Sequence, residues 1–551
     1  MPQSSFKRFR IGSLSAIAFL AAGLLFSVSA WHDEGVVEGG PNGQLNNQAM
    51  VAMTNTPCVG GMAGPFPCRN INLASFLPTS DIGGGSVNDL WGWTDPVTGK
   101  EYAIVGRSSG TAFVDLSDPY HPIYLGNLPR TTASSDSIWR GIKVYANYAF
   151  IVSEADNHGM QIFNLARLRN VVSPPVTFTE DAHYDGFRRA HTIALNEETG
   201  FAYVAGSRDT CQSGLHMVDV HNPLAPVFAG CVSQDGYTHE TQCVRYHGPD
   251  ATYQGHEICF SSNEDTLTIV DVTNKSSPVQ LSRTTYAGVG YTHQGWLTEN
   301  HGYFLLDDEL DEVHSGVNST TYIWNVADLD APSMTGVYRG PSTSIDHNLY
   351  IRGNRAYESN YRSGLRILDI SNIGAASLNE VAFFDIFPID DLPQFNGAWS
   401  NYPFFSSGIV IVGGIEQGLF VLMPTRTNPP VLLTEENSER AIALHSVSFE
   451  RDPFSLTSEH NLSSDKRTRI TLLASNIEGI PGEDLSTLTA QMEGTQGPVY
   501  ALEVESVRKV PNEGLTQVVV KLPLQGPIGD ARVSLSLNGM VSNKAIVRLK
   551  P

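Results

Sequence analysis

The sequence repeats itself about every fifty residues, and this period constrains the fold more than any other feature. The segments "NDLWGW", "SIWRGIKV", "RAHTIAL", "YTHETQCV", "YTHQGWL", "SIDHNLYI" and "FNGAWSNYPFF" stack on one another. With Asp89, Arg140, His191, His239, His293, His347 and Asn396 as equivalents, the spacings are 51, 51, 48, 54, 54 and 49 residues. Each unit carries a second phrase: "GTAFVDL", "GMQIFNL", "GLHMVDV", "TLTIVDV", "TYIWNVA", "GLRILDI" and "GLFVLMP". A small or polar residue leads into alternating apolar positions, and in six of the seven an Asp or Asn then breaks the strand. Further strands lie between the phrases ("YAIVG", "AFIVS", "YFLLD") and after them ("HPIYLGNLP", "APVFAGCVS"). Four short strands per unit, seven units and no sustained 3.6-residue period predict an all-β chain built on a seven-bladed β-propeller.

A propeller must close its ring. The seventh unit ends at "GLFVLMP" with no outer strand before "TRTNPP", whereas "INLASFLP" (71–78) precedes the first unit and reads as an outer strand. The expectation is that 71–78 completes blade seven, so that the propeller runs from 71 to 424 and leaves no open sheet edge.

Three segments, "GGMAGPFPCRNINLASFLP", "NDLWGWTDPVTGKEYAIVGRSSGTAFVDL" and "YTHQGWLTENHGYFLLDDELDE", resemble the choice-of-anchor B family. That resemblance spans about Asn55 to Pro424 and implies a secreted bacterial propeller of LVIVD-type repeats. It implies varied C-terminal anchoring devices rather than a particular reaction, and this chain has no LPxTG motif. Residues 425–440 read as a linker. From 441 to 551, "TRITLLASNI", "VYALEVESVRKV", "LTQVVVKLP" and "ARVSLSLNGMVSNKAIVRL" alternate as a small β-sandwich. The latter unit is similar to the immunoglobulin-like domains that end many acidobacterial surface proteins, which implies a spacer or adhesion module.

The N-terminus opens with Lys7, Arg8 and Arg10, an apolar run from Ile11 to Phe26, and Val28-Ser29-Ala30. That pattern predicts a signal peptide over 1–30, followed by an extension over 31–70. Those thirty residues carry no acid, so their removal takes the formal charge from −22 to −25. So acidic a surface argues against nucleic acid as a partner, and no later run is long enough for a transmembrane segment. Six cysteines allow fifteen pairings. They fall into local couples, Cys58 with Cys68, Cys211 with Cys231 and Cys243 with Cys259, which suits disulfides across hairpins in an oxidising compartment.

In a propeller the first strand of each blade starts beside the axis. The equivalent residues therefore form an axial ring, and the loops after the second strands form its rim. His191, His239, His293 and His347, in four consecutive blades, are the candidate ligands of a transition metal. The competing reading makes them struts between blades, copied by the repeat and hydrogen-bonded to a neighbour's backbone. Glu240 and Asp346 are the expected carboxylates fixing the imidazole tautomers. Arg140, Glu154, Asp308 and Asn396 are the expected ligand-binding residues of ring and rim. The acidic run "LLDDELDE" (305–312) lacks calcium-loop spacing and is expected to be a solvated rim loop. Asp115, Asp219, Asp271 and Asp369 close third strands and are expected to make turns. No GxSxG occurs and no serine or cysteine is paired with a dedicated base. Two functions follow from the sequence: a surface module binding an extracellular protein or matrix component, or a metal-dependent enzyme centred on the axial histidines.

Overall fold

The computed structural model describes residues 51–551 apart from 427, 461–462, 478–484, 495–497, 511–514 and 538–539. The expected signal peptide, and the extension as far as residue 50, lie outside the described residues.

Seven sheets form the blades of a β-propeller, antiparallel throughout except that Val176–Thr177 adds to the outer edge of blade one in parallel. Their innermost strands are Val87–Thr94, Arg140–Tyr145, Thr192–Asn196, Glu240–Arg245, Thr292–Leu297, Leu349–Arg352 and Ala398–Tyr402, each beside the next, with the last beside the first. Second and third strands are buried on both faces: every residue of Glu101–Arg107 is buried, as is the run Leu365–Leu368 that opens Leu365–Asn372. Blade-to-blade packing thus replaces the polar face that an isolated sheet would show to water. In six blades the ladder between third and outer strands slips by one residue at the same place, between Phe113 and Val114 in the first and Val421 and Leu422 in the last. A bulge there steepens the twist, which suits strands fanning outward from an axis.

The glycines that open several third-strand phrases have a steric cause. Gly364 (φ +74°) and Gly418 (φ +130°) face the outer strand so closely that a Cβ would lie 2.3 Å from the Phe384 carbonyl oxygen and 2.1 Å from that of Leu77.

Blade seven is completed by the chain's beginning: Ile71–Pro78 pairs antiparallel with Gly418–Pro424. The preceding residues add strands that the sequence pattern does not announce. Met53–Thr56 lies outside Ile71–Pro78 as a fifth strand of blade seven, and Phe66–Arg69 lies against Ser377–Phe384 of blade six. The Cys58–Cys68 disulfide ties the chain just after Met53–Thr56 to Phe66–Arg69. Cys243 and Cys259 are bonded as direct register partners on the first two strands of blade four. Cys211–Cys231 joins the outer strand of blade three to the short 3-10 turn before the third strand. Cys211 therefore sits in the turn before the third strand rather than on a hairpin strand.

The C-terminal strands make a sandwich-like domain. Arg469–Ser475 alternates strictly between buried and half-buried residues, and Ile470, Leu472, Met492, Val518, Val520, Val533, Leu535 and Val547 share one core. Full burial of each such side chain contributes about 1.5–3 kcal/mol. The long strand Val499–Val510 links the layers: its start pairs with Thr489–Gly494, and its remainder, past a slip at Val504, pairs with Leu515–Lys521. Within the expected linker, Val431–Leu432 already pairs with Arg469–Ser475.

Candidate metal centre

Four imidazoles meet at the axis. His191, His239, His293 and His347 are 8, 1, 1 and 3 % exposed, so they lie in a closed interior rather than an open funnel. Neighbouring ring centroids are 4.3, 4.6 and 4.4 Å apart, a curved stack running from blade three to blade six.

Every Nδ1 in the stack faces an oxygen. That of His191 meets Glu154 Oε1 at 2.5 Å, and that of His293 meets Asp307 Oδ1 at 2.7 Å. The Nδ1 of His239 meets the backbone oxygen of His293 at 3.0 Å, and that of His347 the backbone oxygen of Trp399 at 2.5 Å. Local backbone geometry supplies these last two acceptors. His293 and Trp399 are the extra residues of β-bulges, where the ladder slips between Thr292 and Gln294 and between Ala398 and Ser400. A bulged residue is left out of the ladder, so its carbonyl can serve the neighbouring blade. Since carbonyl and carboxylate oxygens accept, each Nδ1 carries the proton. A neutral ring then has its lone pair on Nε2, the atom that binds metals when the other nitrogen is held in this way.

The Nε2 atoms of His293 and His347 both face Glu309, at 3.9 Å from Oε2 and 3.5 Å from Oε1. One donor atom from each of these three residues lies within 4.8 Å of the others, and all three residues are buried. Tyr361 donates its hydroxyl to Glu309 Oε1 at 2.8 Å. Its ring lies 4.5 Å from that of His347, while Tyr291 stands edge-on to His239 at 5.2 Å. Burial, then the Glu309 charge, holds the Tyr361 hydroxyl well above its usual titration range. Burial, again followed by Glu309, pushes the Asp307 carboxyl up as well.

The loop supplying Asp307 and Glu309 corrects the sequence-based expectation. Asp307, Asp308, Glu309, Asp311 and Glu312 are each at most 2 % exposed, so "LLDDELDE" is a buried element of the centre and not a solvated rim. Asp308 organises it: its carboxylate accepts from Tyr286 Oη (2.7 Å) and from the amides of Gly290 (2.8 Å), Tyr291 (2.6 Å) and Leu310 (3.3 Å). The tautomer-fixing carboxylates are likewise not the expected pair. Glu154 and Asp307 fill that role, while Asp346 accepts from the amides of Thr320 and Asp308, and Glu240, which burial lifts to about 7, hydrogen-bonds to Thr192.

Of the expected ligand-binding residues, the structure brings Glu154 to the histidines, sets Asp308 in the segment that carries Asp307 and Glu309, and holds Arg140 and Asn396 in separate networks. Arg140 donates Nε–H to the Arg107 backbone oxygen (2.7 Å) and faces His158 Nε2 (3.0 Å). Asn396 donates to Glu416 (2.6 Å) and accepts from Arg362. Trp91, Trp296 and Tyr350 line an axial recess with Lys143 and Glu240. Tyr361 and the Trp399 carbonyl carry no sequence signal for their part in the centre, since neither is a repeated position with ligand chemistry.

The LVIVD repeat model matches residues 259–285 and 347–384, which run from the second strand of blade four to just past its outer strand, and from His347 through blade six. LVIVD repeats are therefore present in this propeller. None of the curated proteins matches the chain. Among solved structures, a protein from Lactobacillus plantarum is 14% identical over 59% of this chain and 87% of its own, with a TM-score of 0.38. The computationally designed Ika8 protein is 9% identical over 61% and 82%, also at 0.38. PorZ, a surface component of the type-IX secretion system of Porphyromonas gingivalis, is 12% identical over 85% and 60%, at 0.43.

Proposed function

We propose that the chain is an exported, surface-associated propeller that binds an extracellular protein or matrix component, and that its axial histidines hold a transition metal. Export is supported by three disulfides with no free cysteine, the pattern of an oxidising compartment. Among the described residues no helix is long and apolar enough to cross a membrane. The choice-of-anchor B resemblance of the propeller, and the immunoglobulin-like resemblance of 441–551, favour a place at the cell surface.

One observation carries the metal: four stacked imidazoles all have Nδ1 held by an oxygen, and two of them turn Nε2 toward the same carboxylate. The strut reading accounts for the Nδ1 bonds of His239 and His347 but not for the placing of Glu309 between two Nε2 atoms. Two imidazoles and a carboxylate suit zinc or ferrous iron, with Asp307 and the Trp399 carbonyl orienting the two rings. Bound there, such an ion would act as a Lewis acid, and the metal-dependent-enzyme reading depends on it. Elemental analysis of protein purified without added metal should find about one first-row transition ion per chain. The doubly substituted His293→Ala, His347→Ala protein should hold none. A wild-type protein that stays metal-free after incubation with zinc and ferrous iron would defeat the metal reading.

A further inference from the structure

We infer that Asp311, Glu312 and Asp346 form a second cation site, built for a hard divalent ion of the calcium class. It stands apart from the histidine reading, because its donors are oxygens alone. One carboxylate oxygen from each residue lies within 4.8 Å of the other two. The three side chains are 1, 2 and 2 % exposed.

Their other bonds hold the cluster in place without satisfying it. Asp346 accepts from the Thr320 amide on Oδ2 (2.7 Å) and from the Asp308 amide on Oδ1 (3.2 Å). Asp311 Oδ2 accepts from the Tyr322 hydroxyl (2.6 Å), and Glu312 Oε1 from the Asp346 amide (3.4 Å). Asp311 Oδ1 and Glu312 Oε2 remain, both buried and with no donor from the rest of the protein, the two carboxyls facing each other. Counter-charge is weak too, since Arg339 acts on Asp311 only from beyond ion-pair distance. Among the described residues no lysine or arginine forms an ion pair with Asp311, Glu312 or Asp346, nor with the adjoining Asp307 and Asp308. A buried carboxylate without a partner costs several kcal/mol, and three gathered together also repel one another. Either a proton shared within the cluster or a cation relieves this. Calcium takes six to eight oxygens from carboxylates and backbone carbonyls and tolerates irregular geometry. Two aspartates and a glutamate, from the first turn of the short helix Asp311–Ser315 and from an inner-strand entrance, are that kind of donor set.

The site would also have a consequence for its neighbour. Only Leu310 separates Asp311 from Glu309, and Asp346 adjoins His347, so an ion bridging them would fix the carboxylate and imidazole of the histidine centre relative to each other.

The test uses the full chain, stripped with EDTA and titrated with calcium chloride by calorimetry and thermal unfolding. Wild type should bind about one calcium ion tightly and melt several degrees higher with it. The Asp311→Asn, Glu312→Gln protein should lose both effects while melting, calcium-free, at or above the stripped wild type, since it sheds the repulsion. Terbium luminescence sensitised through Tyr322 should appear in wild type and vanish in the variant, giving a second readout. The His293→Ala, His347→Ala protein should keep its calcium response. The inference fails if stripped wild type neither binds calcium nor shifts, which would leave the shared proton. It fails equally if the variant binds as wild type does, which would place the ion on exposed acids such as Asp250, Asp328 and Asp330.

Discussion

Two populations of acidic side chain share this propeller. The first closes third strands on the face opposite the axial centre. Asp115, Asp219, Asp271 and Asp369 each accept from the amide two residues on, at 2.8, 3.0, 2.9 and 2.9 Å, and each recurs at the same place in its repeat. The second, Asp307, Asp308, Glu309, Asp311, Glu312, Asp346 and Glu358, crowds into blades five and six, is buried and follows no period. Their titration runs in opposite directions. At Asp219, Asp271 and Asp369 partial burial raises the pKa, but donors two residues on and a nearby His221, His256 or Arg355 outweigh it and the net shift is downward. Burial dominates in the second population and moves Asp307, Asp308, Asp346 and Glu358 upward. A repeated acid serves the turn that every blade needs. An acid found in one blade only, and buried there, must answer to something local.

The largest expected difference comes from deleting one member of each population. Asp308→Ala would strip four buried donors of their acceptor, at about 1–3 kcal/mol each before relaxation. Chemical denaturation should show a loss of more than about 3 kcal/mol. Asp369→Ala removes the turn bonds from the Ser371 amide and hydroxyl and a partly exposed pair with Arg355, and should cost about 1 kcal/mol. Equal losses would erase the distinction between the populations.

A smaller effect separates them by pH. Glu358 is buried and held up to about 7. A carboxyl whose folded pKa is raised lends stability that is fully present below its unfolded value near 4.3 and is lost as pH rises through 7. The stability gap between wild type and Glu358→Gln should therefore shift against wild type by about 1–1.5 kcal/mol between pH 6 and 8. Asp369 is shifted downward, so its contribution is present above about pH 4 and lost only as pH falls further. Its basic partner Arg355 keeps its charge throughout, so the gap between wild type and Asp369→Asn should stay flat across the same window. A slope in the Asp369 pair, or none in the Glu358 pair, breaks the contrast.

These populations also mark where the sequence was legible. The repeat fixed the blade count, the strand alternation and the common level of the four histidines, because each blade needs the same inner-strand start. It pointed to Ile71–Pro78 through the missing outer strand of the seventh unit. It gave no sign of the added strands Met53–Thr56 and Phe66–Arg69, whose "MTNT" and "FPCR" have no alternation and pair only because a sheet edge is present. The acids of 305–312 were misjudged for a related reason. Charge density usually means solvent, but here Asp308 binds three loop amides and folds its neighbours inward. Asp307 and Glu309, two apart, both then reach the histidines. That pairing depends on where blade six stands, which no local pattern records.

The smallest effect is the most discriminating test of the repeated acids. If they serve only as turn acceptors, charge is irrelevant and Asn should replace Asp. The protein already makes this exchange: Asn164 in blade two accepts from the Ala166 amide at 3.0 Å, and Asn325 in blade five from the Ala327 amide at 2.9 Å. An amide oxygen supplies the same acceptor two residues from the same donor. Asp369→Asn would lose a partner charge for Arg355, which lies 2.8 Å away, but that pair is partly exposed and such bridges contribute about 0–1 kcal/mol. Asp219→Asn loses only an exposed contact to His221. Both variants should unfold within about 0.5 kcal/mol of wild type and keep their metal and calcium responses, because neither residue lies in the centre. A loss of 2 kcal/mol or more in either would require its negative charge to do something beyond the turn, and the division between repeated and solitary acids would have to be redrawn.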